Sequence, residues 1–134
     1  MVIQAWGNYG TAWSVVNEQL GVRPFLGDGA LQVVPQVPAG QDSVSGSNIR
    51  LGNGSVDVFA SHSGSDYTTR VQVHRLGLRM LQIGHTLPRG STPSNIQLDG
   101  KAVHDATATQ TNRGVEVAVP AHGSAMHTLT MSAA

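Results

Sequence analysis

The chain of 134 residues contains no cysteine, few aromatic residues and no excess of either charge. The lack of cysteine excludes a disulfide framework, a thiolate metal site and a thiol nucleophile. Eight basic residues balance eight acidic ones and no basic run occurs, so neither nucleic acid nor an anionic membrane is an expected partner. No apolar stretch approaches the ~20 residues that span a bilayer, and the first residues do not resemble a signal peptide. The length is that of one domain.

The scarce aromatic residues are concentrated at the start of the sequence. Large apolar residues recur there in steps of 3, 4, 3 and 4, which is the spacing of one helix face: Trp6, Tyr9, Trp13, Val16 and Leu20. Gly21 follows as a C-cap candidate, and Pro24 lies beyond it. The spacing predicts an α-helix over about 8–20, within an N-terminal segment that covers 1–22.

Three interpretations of this aromatic stripe are open. It packs on the rest of the domain, it belongs to a larger helical body, or it forms a platform on which sugar rings stack. Sugar platforms are more often built on strands or loops, and a regular stripe of this kind is more typical of a buried seam. We therefore treat Trp6, Tyr9, Trp13, Val16 and Leu20 as candidates for an interface or for sugar stacking.

From Ala30 onward the pattern changes to a period of two, which is typical of strands. The alternation is clearest in "GSVDVFASHSG", "YTTRVQVHR" and "GVEVAVP", and Asp99-Gly100 gives the strongest hairpin signal. In "ALQVVPQVP", Pro35 favours an edge strand. The pattern predicts an all-β protein, an antiparallel β-sandwich of about 7–9 short strands preceded by one N-terminal α-helix. We place a linker and edge strand at 23–50 and the sandwich at 51–134.

Three stretches resemble part of a known enzyme family. The stretch "QAWGNYGTAWSVVNEQLGVRPFLGDGALQVVPQVPAGQ" resembles the join between an (α/α)6 barrel and a C-terminal β-sandwich in bacterial six-hairpin glycosidases of the glycogen-debranching and glucoamylase-like type. The stretches "GHTLPRGSTPSNIQLDGKAV" and "TNRGVEVAVPAHGSAMHTLTM" are similar to the closing strands of such a sandwich. The resemblance implies that the N-terminal helix is the last barrel helix. It also implies that the catalytic carboxylates of such an enzyme belong to the barrel, which is mostly missing from this chain.

Catalytic and metal-binding constellations are weak in this sequence. Glycoside hydrolysis needs two carboxyl groups about 5–10 Å apart, and most of the eight acids lie in turns or on wet strand faces; Asp57 and Glu116 are the one pair that could face each other across strands. The six histidines show no His-x-His spacing, so we expect them to face solvent and to bind no metal. Tyr67 and Phe59 are expected in the core rather than at a sugar groove. We predict no catalytic residue, no metal and no cofactor.

The leading functional hypothesis is a non-catalytic accessory domain of a glycoside hydrolase, which supports the enzyme by packing against its barrel domain. In the absence of that domain, self-association through the N-terminal helix is expected, because exposed aromatic faces associate. The alternative is a carbohydrate-binding module in which Trp6, Tyr9 and Trp13 stack on a polysaccharide. A standalone hydrolase is the third hypothesis and the one that the sequence favours least.

Overall fold

The computed structural model describes residues 19–123 and 126–134, and this part of the chain is an all-β sandwich of two sheets. The predicted N-terminal α-helix lies almost entirely in 1–18, outside the described residues. Eleven strands are present in the described part: β1 Val22–Phe25, β2 Ala30–Val33, β3 Ser43–Leu51, β4 Gly54–Ser63, β5 Asp66–His74, β6 Met80–Leu87, β7 Pro93–Leu98, β8 Lys101–Ala102, β9 Thr107–Gln110, β10 Val115–Ala121 and β11 His127–Ala133. One turn of 3-10 helix, Leu26–Asp28, joins β1 to β2.

The strands form a five-stranded sheet in the order β1-β2-β6-β10-β9 and a six-stranded sheet in the order β3-β4-β5-β11-β7-β8. The alternation in the sequence sets the two faces of each strand, because successive side chains point to opposite sides. Side chains on the inner faces are almost fully buried, as predicted for β4, β5 and β10: Val56, Val58, Ala60, Thr69, Val71, Val73, Val115, Val117 and Val119. The core lies between the sheets.

The predicted Asp99-Gly100 hairpin is confirmed between β7 and β8. Asp99 has a φ angle of 53° and Gly100 one of 80°, the left-handed pair that two-residue hairpins favour. The Asp99 carboxylate also accepts hydrogen bonds from Thr128 N at 2.8 Å and from His127 Nδ1 at 2.7 Å. The turn is therefore fastened to β11 as well as closing its own hairpin.

Three details of the predicted sandwich were wrong. The described strands number eleven rather than 7–9, because short strands such as β8 and β9 carry too little alternation to be recognised. The sandwich is not purely antiparallel, since β2 and β6 pair in parallel. The strand before Pro35 is not an edge strand: β2 lies between β1 and β6, and it ends at Val33. Pro35 therefore removes no donor from the ladder, and its carbonyl accepts a hydrogen bond from Thr86 N at 2.8 Å.

The predicted boundary between linker and sandwich also needs correction. Residues 23–50, assigned to a linker and an edge strand, contribute most of β1, all of β2 and most of β3, so the sandwich begins at Val22 rather than at 51. The edge strand in this range is β3, at one end of the six-stranded sheet. Val22 is the last residue of the segment 1–22 that was assigned to the helix. It is a strand residue, and its backbone pairs with Val33.

Candidate functional site

The chain enters the sandwich through a short paired segment before β1. Val34 N donates to Gly21 O at 3.1 Å and Gln36 N donates to Gln19 O at 2.8 Å. These hydrogen bonds extend the pairing of β1 with β2 beyond the N-terminal end of β1. Leu20, between the two, is 2% exposed and belongs to the hydrophobic core. Of the five predicted interface or sugar-stacking residues, Leu20 is therefore buried in the sandwich, while Trp6, Tyr9, Trp13 and Val16 lie outside the described residues.

Gly21, predicted as the residue that ends the helix, adopts a left-handed φ of 60°. A Cβ at this position would lie on the carbonyl group of Val34, so only glycine allows this close approach. The backbone thus turns at Gly21 while it stays paired with the neighbouring chain. Residues 19–21 are consequently held against the segment 34–36.

Exposed apolar side chains collect at one end of the five-stranded sheet, on its outer face. Phe25 pairs with Ala30, which in turn pairs with Met80, and directly paired residues project from the same face. Phe25 is 56% exposed and Met80 is 55% exposed. We call Phe25 and Met80 the outer apolar row; Leu26, which is 38% exposed, lies instead in a pocket beside Gly52 of the β3–β4 turn.

A polar network borders the outer apolar row on the same face. Arg23 donates through both terminal nitrogens to the Glu116 carboxylate, at 3.2 and 2.9 Å, and Arg113 Nη1 donates to Glu116 Oε1 at 2.9 Å. Arg23 also donates to Gln32, and Gln32 to Gln82. The hydrogen bond from Arg23 lowers the pKa of Glu116, and Arg113 adds to that effect against the opposing influence of burial. Glu116 is held as an anion in a structural contact.

The carboxylates Asp57 and Glu116 do not form a catalytic pair. Asp57 lies on the outer face of β4 in the six-stranded sheet, and Glu116 lies on the outer face of β10 in the five-stranded sheet. The two sheets of a sandwich are about 10 Å apart and these side chains point away from each other. Asp57 accepts instead from Asn48 N and from His74 Nε2 at 2.9 Å, and these hydrogen bonds lower its pKa.

The prediction that the histidines face solvent was wrong for His85 and His127, which are 1% and 6% exposed. A signal for their burial was present in the sequence. His85 continues the inward register of Leu81 and Ile83, and His127 shares the register of Leu129. What the sequence could not supply was the hydrogen-bonding partner of each ring, because Thr69 and Asp99 come from other strands and turns.

His85 is fixed in one tautomer by its contact with β5. Thr69 Oγ1 donates its only proton to Gly84 O at 2.8 Å, so it accepts from His85 Nδ1, which lies 2.8 Å away. Burial, with a smaller contribution from His62, lowers the pKa of His85 to about 4. The ring is consequently neutral near pH 7, with its lone pair on Nε2. That nitrogen is buried and has no hydrogen-bonding partner.

His85 lines a cavity of about 260 Å³ at one end of the sandwich, together with His62, Tyr67, Thr86 and the segment 36–39. The Tyr67 ring stacks on His62 at 5.7 Å between centroids and meets His85 edge-on at 5.1 Å. His62 Nε2 donates to Gln41 O at 3.0 Å, so Nδ1 carries the lone pair of the neutral ring. His62 Nδ1 and Thr86 Oγ1, like His85 Nε2, are buried without a partner.

A shallower groove lies on the outer face of the six-stranded sheet. Phe59 is paired with Arg70, whose guanidinium carbon lies 5.4 Å from the centre of the Phe59 ring. Asp57, Gln72 and the exposed Met126 line the same groove, whose volume is about 330 Å³. The expectation that Phe59 lies in the core was wrong, because Phe59 occupies the strand face opposite to Val58.

Neither a metal centre nor a membrane segment is indicated by the described part of the chain. Within 19–123 and 126–134, no three His, Asp or Glu side chains come together in a way that would hold a metal ion. No helix in these ranges is long and apolar enough to cross a membrane. Comparison with protein-family models finds no match, and a search of curated proteins likewise finds none.

Proposed function

We propose that this chain acts as a non-catalytic accessory β-sandwich of a carbohydrate-active enzyme, and that it packs against an adjoining helical domain. The observation that carries the proposal is the outer apolar row. Phe25 and Met80 lie on one sheet face and remain 56% and 55% exposed. Complete burial of such side chains contributes about 1.5–3 kcal/mol each, so covering their exposed halves would contribute about 1 kcal/mol each.

The entry of the chain supports the same proposal. Leu20 and the hydrogen bonds of Gln19 and Gly21 hold the lead-in segment to the sandwich immediately before β1. Phe25, in the outer apolar row, lies at the other end of the same strand, about 20 Å from Gln19. A domain joined to the chain before Gln19 would cover the row by lying along the outer face of this sheet. The resemblance of residues 4–41 to a barrel–sandwich join suggests a helical barrel as that domain.

The carboxylates support a non-catalytic role. Glu116, Asp57 and Asp99 are each bound by positively charged or hydrogen-bond-donating groups of the sandwich itself. A general acid in a glycosidase needs a raised pKa, whereas the surroundings lower the pKa of each of these three groups. Their contacts connect strands and turns, which is a structural use.

Light scattering coupled to size-exclusion chromatography tests the packing proposal. Without the adjoining domain, the outer apolar row is expected to pair with a second copy, so the apparent mass should rise with concentration. The double variant Phe25→Ser/Met80→Ser should remain monomeric. Met126→Ser is the matched control, because Met126 is 54% exposed but lines the groove on the other sheet. A wild-type chain that stays monomeric at every concentration would contradict the proposal.

A further variant, Trp6→Ala/Trp13→Ala, asks whether the N-terminal stripe provides the contact instead. If this variant is monomeric and the Phe25→Ser/Met80→Ser variant still associates, the packing surface is the stripe. In that case the accessory role would stand, but the outer apolar row would not be its interface.

Carbohydrate binding is the second candidate function. The sequence places it on Trp6, Tyr9 and Trp13, and the structure adds the groove at Phe59, where an aromatic ring lies beside hydrogen-bonding side chains. Affinity electrophoresis in gels containing α-glucans or other polysaccharides tests both surfaces. Retardation that Phe59→Ala abolishes would locate binding in the groove, and retardation that Trp6→Ala/Trp13→Ala abolishes would locate it on the stripe. No retardation by any polysaccharide would eliminate this candidate.

A further inference from the structure

The cavity beside His62, Tyr67 and His85 is lined by buried polar atoms that have no hydrogen-bonding partner. Two polar atoms there, His62 Nδ1 and His85 Nε2, are buried and have no partner. Leaving a buried polar group unpaired costs about 1–3 kcal/mol. Such groups in a folded protein therefore point to something that occupies the adjacent space.

The chemistry of the occupant follows from the two imidazoles. Gln41 O fixes the proton of His62 on Nε2, and Thr69 Oγ1 fixes that of His85 on Nδ1. In its neutral form, each ring consequently has an acceptor lone pair on its unpartnered nitrogen. An anion, which brings only acceptors, would be repelled by both. A suitable ligand brings donors, and it brings at least two of them.

The cavity dimensions favour a small organic molecule. Its volume of about 260 Å³ is far larger than the roughly 10–15 Å³ of probe volume that one water requires. Tyr67, between the two histidines, supplies an aromatic wall in contact with both rings. A metal ion fits less well, because the described part of the chain brings no third His, Asp or Glu to the two imidazoles.

We propose that the cavity formed by His62, Tyr67, His85 and Thr86 binds a small neutral polyhydroxylated molecule, such as a single sugar ring or a linear polyol. Two of its hydroxyl groups donate to His62 Nδ1 and His85 Nε2. This site is separate from the outer apolar row and from the Phe59 groove, which lie on the outer sheet faces. It does not depend on the packing role proposed above.

Long-range 1H–15N NMR of the histidine side chains tests the proposal in the intact wild-type chain. The unprotonated nitrogens of His62 and His85 should first appear as the Nδ1 and Nε2 lone-pair atoms, respectively. Titration with glycerol, D-glucose and mannitol should then shift both resonances towards those of protonated nitrogens, because each lone pair accepts a hydrogen bond. The exposed His104 is an internal control whose resonances should not move.

Two variants distinguish polyol binding in the cavity from non-specific effects of the added polyol. His62→Phe keeps an aromatic ring against Tyr67 and removes one acceptor, so polyol binding should weaken about tenfold. His104→Gln should leave binding unchanged. If His62→Phe folds poorly, the NMR titration of the wild-type chain still decides the question, because that titration needs no variant.

Three outcomes would overturn the proposal. Resonances that respond to no polyol would show a cavity that holds only water. Resonances that respond only to added Zn²⁺ would indicate a metal site. A response to polyols that spares His62 and His85 and is abolished by Phe59→Ala would place the binding in the outer groove.

Discussion

Replacing Gly46 with alanine tests whether Leu20 is packed into the sandwich as the structure describes. A Cβ added at Gly46 would lie 2.5 Å from Leu20 Cδ1 and 3.2 Å from Ile49 Cδ1, well inside the 3.5–4.0 Å at which carbon atoms pack best. Leu20 is 2% exposed, so it has little room in which to move. Overpacking of this kind costs about 1–3 kcal/mol of unfolding free energy.

The second half of the experiment removes the obstacle. Leu20→Ala alone should cost about 2–5 kcal/mol, because it leaves a cavity in the core. In that background the methyl group at position 46 enters vacated space, so Gly46→Ala should cost little or become stabilising. The two substitutions should therefore show a coupling of about 1–2 kcal/mol.

Urea unfolding of the four proteins in this cycle gives the coupling from the midpoints at constant m value. Gly77→Ala is the control, because a Cβ at Gly77 meets nothing within 4 Å, and it should cost the same with either residue at position 20. If Gly46→Ala costs equally in both backgrounds, Leu20 does not contact Gly46. The argument that the chain entry is anchored in the sandwich would then fail.

Three further predictions concern polar side chains that are hydrogen-bonded within the sandwich. The pKa of His85 is about 6.5 in the unfolded chain and about 4 in the folded one. The unfolding free energy of the wild type should therefore fall by about 3 kcal/mol as the pH falls from 6.5 to 4. In urea titrations His85→Phe should lack this loss, and a variant with the pH profile of the wild type would contradict the assignment. Glu116→Gln should lower the unfolding free energy by about 2 kcal/mol by weakening its bonds to Arg23 and Arg113, and an effect within 0.5 kcal/mol, typical of an exposed site, would contradict it. Asp99→Ala should cost about 1–3 kcal/mol, since it leaves Thr128 N and His127 Nδ1 without their acceptor, and chemical denaturation showing no loss would refute that role.

The strand faces could be predicted because they are local. The residues alternate from Val56 to Ala60, from Thr69 to Val73 and from Val115 to Val119, and burial follows that alternation except at Ala118, which is 7% exposed on the outer face. The Asp99-Gly100 hairpin was recognisable for a similar reason, since its residue types tolerate positive φ angles.

The remaining features depend on contacts between distant parts of the chain. The parallel pairing of β2 with β6 arises because β3, β4 and β5 intervene in the other sheet before the chain returns. No residue pattern in β2 records that neighbour. The cavity is equally non-local: Gln41, His62, Thr69 and His85 come from different strands and connections, and their shared hydrogen bonds decide the tautomers.

The outer apolar row was missed because it combines residues that are individually ordinary. Phe25 follows a proline, and Met80 is more than fifty positions away. Only the pairing through Ala30 brings Phe25 and Met80 to one face. The glycosidase resemblance remains a prediction.

Hydrogen–deuterium exchange, compared between dilute and concentrated solutions, tests the proposed packing surface most directly. The account predicts that protection gained on concentration falls at Phe25 and around Met80, and that Phe25→Ser/Met80→Ser abolishes it. Protection gained instead along β3 and β4 or along β11, or no gain at any concentration, would contradict the assignment of the outer apolar row as the interface.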